Sequence, residues 1–167
     1  MTQANVILLV EDSVTDAELA LHVLRKQRLA DVARVSRDGA EALEFLFGIV
    51  AGGHPNPLPK LVLLDLKLPR VNGLEVLARI KADPRTKTIP VVVLTSSRED
   101  QDLIASYELG ANSYVVKPVD FAEFEEALRQ VAQYWLTRNE QLPHCEEEGP
   151  GADLAESFGV GCKGHGA

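Results

Sequence analysis

Five short apolar runs punctuate the chain at nearly even intervals, each followed by a stretch of helical periodicity, and this alternation restricts the fold more than any other feature. The runs are Val6-Ile7-Leu8-Leu9-Val10, Val32-Ala33-Arg34-Val35, Leu61-Val62-Leu63-Leu64, Val91-Val92-Val93-Leu94 and Tyr114-Val115-Val116. Three of them are apolar throughout, the pattern of parallel strands covered on both faces; Arg34 interrupts the second, which reads as nearer an edge. Helix signals fill the gaps. Ser13 with Asp16 resembles a capping box, after which Ala17, Leu21 and Leu24 share a face. Asp38 caps a helix through Phe47 that closes at Gly48, and Asn72 opens one that ends before Pro84. Asp100 opens another that stops at Gly110, a left-handed C′ position. Phe121, Phe124, Leu128, Val131 and Trp135, spaced by three and four, form the apolar stripe of a last helix. Right-handed crossovers then give an α/β, doubly wound, flavodoxin-like fold: a five-stranded parallel sheet of order 2-1-3-4-5 with helices on both faces.

The chain of 167 residues, 46% apolar, suits a single folded domain, expected over residues 1–139. From Glu140 the periodicity stops, and the acidic, Gly-rich segment 140–167 reads as a disordered tail. That tail holds six acids and one lysine, so most of the net charge of −8 belongs to it. An acidic chain is a poor binder of nucleic acid or anionic membrane. With no apolar run near the ~18 residues of a membrane span and no secretory signal at Met1-Thr2-Gln3, a cytoplasmic location is expected. The two cysteines, Cys145 and Cys162, both lie in the tail and supply no disulfide framework.

In doubly wound sheets ligands bind beyond the carboxyl ends of the strands. Strand one ends in Glu11-Asp12, strand three in Asp65, strand four in Thr95-Ser96 and strand five in Lys117-Pro118. Strands one and three are neighbours in the expected order, so three carboxylates meet in one pocket. Close carboxylates repel one another, and a hard divalent cation with oxygen ligands relieves this; Mg²⁺ fits because it keeps waters and leaves positions for phosphate oxygens. A neutralised Asp65 is able to attack a phosphoryl group, with Lys117 as a point charge and the Thr95 hydroxyl as a donor to its oxygens.

At these motifs, Leu9-Val10-Glu11-Asp12-Ser13, Leu63-Leu64-Asp65-Leu66-Lys67-Leu68-Pro69 with Asn72-Gly73, Leu94-Thr95-Ser96 and Tyr114-Val115-Val116-Lys117-Pro118, the sequence resembles the receiver domain of two-component response regulators over about residues 5 to 138. The resemblance implies that Asp65 is the phospho-acceptor. It implies that Asp12, Asp65 and the backbone carbonyl of Lys67 ligate Mg²⁺, with Glu11 acting through a metal-bound water. Thr95 and Lys117 would grip the phosphoryl group, Thr95 and Tyr114 would form the switch, and Lys117-Pro118 would be a cis peptide. Glu11 stands where many members carry Asp, and Lys67 occupies a position the family uses to tune dephosphorylation. The loop Ile49 to Pro59, the segment Ser113 to Phe121 and the ending Tyr134-Trp135-Leu136 are similar to single-domain regulators paired with phytochromes.

The resemblance makes a sensor histidine kinase, possessed of a phosphohistidine, the expected donor, and a downstream protein the expected target. The chain would be no enzyme beyond its own Mg-dependent phosphorylation and dephosphorylation. Tyr134, Trp135 and Leu136 are expected to form an exposed aromatic patch and, with helix four, strand five and helix five, a homodimer interface. A receiver-like adaptor acting without phosphorylation would have no use for Asp65, Thr95 and Lys117 together, and a flavin carrier would not place Glu11-Asp12 against a phosphate. Gly159 to Gly164 matches a dinucleotide fingerprint but follows no strand, and the spacer between His144-Cys145 and Cys162-His165 lacks the apolar residues of a zinc finger.

Overall fold

The carboxyl ends of five parallel strands converge on one edge of the molecule in this computed structural model, which describes residues 7–29, 32–48, 53 and 55–142. The strands are β1 (Ile7–Val10), β2 (Ala33–Ser36), β3 (Leu61–Leu64), β4 (Val91–Thr95) and β5 (Ser113–Val116), in the sheet order β2-β1-β3-β4-β5. They alternate with α1 (Val14–Lys26), α2 (Gly39–Phe47), α3 (Gly73–Ala82), α4 (Asp100–Glu108) and α5 (Phe121–Gln133), and one π-helical turn, Tyr134–Arg138, continues α5. The expected doubly wound fold is the one observed. The tail beyond Leu142, its Gly-rich and His/Cys motifs, and His54 lie outside the described residues.

Alternate residues of each inner strand face opposite layers. Leu8, Val10, Val62, Leu64, Val91 and Val93 pack against α2 and α3 through Ala42, Phe45, Leu46, Val76, Leu77 and Ile80. Ile7, Leu9, Leu61, Leu63, Val92 and Leu94 pack against α1 and α5 through Ala17, Val23, Leu24, Phe124, Leu128 and Ala132. β1, β3 and β4 are buried on both faces, which is why their sequences carry no alternation. α4 is the exception among the helices, since Ser106 is its one buried residue among those described.

Ser13, Asp38, Asn72 and Asp120 cap α1, α2, α3 and α5 by accepting backbone N–H groups three residues on. The cap of α4 is Glu99 rather than Asp100, which opens the helix as its first residue. Gly110 has φ of +98°, the left-handed geometry expected after α4. Three apolar expectations need correction. Leu21 is half-buried because Ala20 and Val23 shift the buried arc of α1 away from it. Phe121 is 58% exposed, since the first turn of α5 starts at the carboxyl edge of the sheet, beyond the strands it would have covered. Trp135 and Leu136 are half-buried against the α1/α5 layer; the wider π turn redirects them, and of the aromatic patch Tyr134 alone is exposed, edge-on to the Trp135 ring.

Candidate functional site

Backbone pairing carries past the last strand residues and sets the polar ends side by side. Glu11 N–H donates to the Ser36 carbonyl at 3.0 Å, Asp65 N–H to Val10 at 3.0 Å, and Lys117 N–H to Thr95 at 2.8 Å. Each donor follows its strand by one residue, so Glu11, Asp65 and Lys117 inherit the parallel register. Gly73 lets α3 approach closely behind them. A Cβ there would lie 2.2 Å from the Asp65 carbonyl oxygen, and the glycine N–H donates to Leu66 at 2.8 Å.

Carboxylate oxygens of Glu11, Asp12 and Asp65 lie within 4.8 Å of one another, with Glu11 and Asp65 buried and Asp12 exposed. An all-oxygen donor set of this charge is able to hold a divalent cation. Lys117 reaches into the cluster, its side chain 9% exposed, and donates to Glu11, to Asp16 at 2.9 Å and to Asp65 at 2.9 Å. Burial opposes the Lys117 charge, but hydrogen bonds to Glu11, Asp16 and Asp65 outweigh it and hold the ammonium above the ordinary lysine range. For Glu11 the balance goes the other way, and burial raises its pKa in spite of Lys117.

The remaining expected residues surround this core. Lys67 N–H donates to Asp65 Oδ1 at 3.2 Å, while its ammonium, 3.7 Å from Glu99, stays at the surface. Thr95 is fully buried; its Oγ1 accepts the Ser97 N–H at 3.3 Å, which leaves the hydroxyl proton free to donate. Tyr114 is half-buried, 17 positions from the Ser97 carbonyl that accepts its hydroxyl. Tyr134, Trp135 and Leu136 lie far along α5 and its π turn and take no part in the pocket. The Lys117-Pro118 peptide is trans, since no cis bond occurs among the described residues; trans is the lower isomer of an X-Pro bond, and Lys117 reaches Glu11, Asp16 and Asp65 from it.

Two residues escaped sequence reasoning. Asp16, read as a capping residue, turns its carboxylate to Lys117, while Glu11 Oε1 accepts the Ser13 N–H that a capping box would have engaged. The available signal was the place of Asp16 in the first turn of α1, directly after the strand end that carries Glu11 and Asp12. Ser97 ties Thr95 to Tyr114 and donates from its own hydroxyl to Asp102 on α4.

A doubly wound domain with an acidic pocket and an opposed lysine at the strand ends defines a class of signalling switches. The response regulator receiver domain matches residues 7–129, and the chain belongs to that family. It is 44% identical to the response regulator Rcp1 of Synechocystis over 132 residues, 78% of this chain and 88% of that protein. The crystal structure of the Mn²⁺-bound form of Rcp1 aligns at a TM-score of 0.76 and 40% identity, covering 83% of this chain and 99% of that one. The phosphorylated cyanobacterial phytochrome response regulator RcpA aligns at 0.77 and 34% identity, with the same coverage. A probable methanogenesis regulatory protein, FilR2 of Methanothrix harundinacea, is 43% identical over 136 residues, 80% of this chain and 85% of its own length. No helix among the described residues is long and apolar enough to cross a membrane.

Proposed function

We propose that the chain is a single-domain response regulator that accepts a phosphoryl group on Asp65 from a sensor histidine kinase of the phytochrome type, in the cytoplasm, and signals by protein contact. The observation that carries this reading is Lys117 bonded to Asp65 beside the Glu11, Asp12 and Asp65 cluster. Relatives linked by their names to phytochrome signalling, matched over nearly their whole length, support the donor class.

The donor set fits Mg²⁺: Asp12, Asp65 and the Lys67 carbonyl would hold it, with Glu11 through a water. When bound, the ion supplies positive charge that offsets the carboxylates and the incoming phosphoryl oxygens. An Asp65 oxygen attacks phosphorus and forms the new O–P bond as the P–N bond to the donor histidine breaks. That electron pair stays on the imidazole, and the product is an acyl phosphate. Lys117 donates to the transferred group in place of its bond to Asp65, and the Thr95 proton is free to do the same.

Output is assigned to α4, β5 and α5. α4 buries little and exposes Leu103, Ile104 and Tyr107, and Tyr134 is exposed at the carboxyl end of α5. A homodimer through this face follows, and sedimentation of wild type and Tyr134→Ala at micromolar concentration, with and without beryllofluoride, tests it; monomers throughout would refute it. The phospho-acceptor assignment is tested by intact mass after incubation with acetyl phosphate and Mg²⁺. Wild type gains about 80 Da, the mass of one phosphoryl group, and Asp65→Asn gains nothing. Equal labelling of the two would overturn it.

A further inference from the structure

An ammonium group has three N–H donors, and Lys117 spends them on three carboxylates, Glu11, Asp16 and Asp65. Two of these belong to the acidic pocket, whereas Asp16 sits in the first turn of α1 and is the most solvent-accessible of the three, its side chain 36% exposed. Its backbone already has a role in the helix cap, where its N–H donates to Ser13 Oγ at 3.2 Å. That role needs no carboxylate. The Asp16 and Asp65 oxygens bond the same nitrogen and so lie within about 6 Å of each other, close enough for a charge to be felt across the pocket.

We propose that Asp16 is a positioning residue for Lys117 and a remote counter-charge of the cation site. By holding one N–H of Lys117, it fixes the tripod so that another N–H points at Asp65. By adding a fourth negative charge near the pocket, it tightens the binding of a divalent cation and retards the approach of an anionic phosphoryl donor. Glu11, Asp12, Asp16 and Asp65 stand against Lys117 as the one cation bonded to this cluster among the described residues. Mg²⁺ alone leaves that set net negative, and loss of Asp16 brings it to neutrality. The two effects have opposite signs, which separates this role from a merely structural one. A damaged fold would weaken metal binding and loading together.

The inference rests on the phospho-acceptor reading of Asp65, and its test has a part independent of that reading. Mg²⁺ titrations of the full chain, followed by calorimetry or amide shifts, should show affinity three- to tenfold weaker in Asp16→Asn and near wild type in Asp16→Glu, which keeps the charge. At saturating Mg²⁺, acetyl phosphate should load Asp16→Asn about threefold faster than wild type, through a lower KM. The Lys117 ammonium signal in ¹⁵N spectra, sharp in wild type because all three protons are held, should broaden through faster exchange in Asp16→Asn. Unchanged Mg²⁺ affinity, or slower loading of Asp16→Asn at saturating Mg²⁺, would overturn the proposal. Failure of wild type to load at all would instead refute Asp65 as acceptor, and the Mg²⁺ and ammonium measurements would still judge Asp16.

Discussion

The Tyr114 hydroxyl donates to the Ser97 carbonyl at 3.2 Å, and the N–H of the same Ser97 donates to Thr95 Oγ1. Thr95 and Tyr114 are thus joined through one residue that also anchors Asp102 at the start of α4. Any movement of Thr95 toward the pocket draws on the bond that positions Ser97, and through it on Tyr114 and α4.

Tyr114→Phe removes the hydroxyl and leaves the carbonyl of the buried Ser97 without that donor. Its cost in urea denaturation should be about 1–2 kcal/mol. The larger effect is expected in coupling: amide shifts of α4 on adding beryllofluoride should shrink relative to wild type.

Lys117→Met leaves Glu11 and Asp65, both buried, without their shared cation. A loss of about 3 kcal/mol in unfolding free energy at neutral pH is expected without divalent metal. Saturating Mg²⁺ should restore most of it, since the ion takes over the lost positive charge. Chemical denaturation with and without Mg²⁺ measures both.

Glu11 sets a pH dependence of definite sign. Burial raises its folded pKa above the ordinary 4.5, so in the window above 4.5 the folded chain keeps a proton that the unfolded chain has lost. The stability from this group is complete below pH 4.5 and is lost as pH rises through the folded value. In metal-free buffer, the stability of wild type relative to Glu11→Gln should therefore fall as pH rises above 4.5. A difference that grows with pH would contradict the burial argument.

Gly73→Ala drives a methyl group against the Asp65 carbonyl and the Leu66 Cα, at 2.2 Å and 2.5 Å before relaxation. Both obstacles are backbone, so the strand end must move. A loss of about 2–3 kcal/mol is expected, together with weaker Mg²⁺ binding, because the displaced backbone carries Asp65. Thermal melts and Mg²⁺ titration read the two effects separately.

The strands and their polar ends were legible because parallel pairing buries both faces, so a run such as Val91 to Leu94 allows no polar interruption until the strand stops. Thr95 and Asp65 are visible for that reason: each follows an unbroken apolar run. Asp16 was obscured by its own cap, since an acid three residues after Ser13 already has a helical explanation. The role of Ser97 rests on its backbone carbonyl and N–H, groups that every residue except proline carries. The stripe on α5 misled at both ends. Spacing reports which residues share a face, but not how far the sheet extends beneath Phe121 or that a π turn follows Gln133.

Lys117 joins partners 52, 101 and 106 positions away along the chain, and that separation orders the birth of the site in time. A ribosome releases the carboxylates of β1, α1 and β3 well before the lysine that follows β5. Until that last strand docks, the early segments hold their acids without the ammonium that organises them, and closing so long a loop is slow compared with local helix formation. A half-made or misassembled chain therefore presents Asp65 without the ammonium that the complete fold sets against it. The seated lysine is itself a certificate that folding is finished.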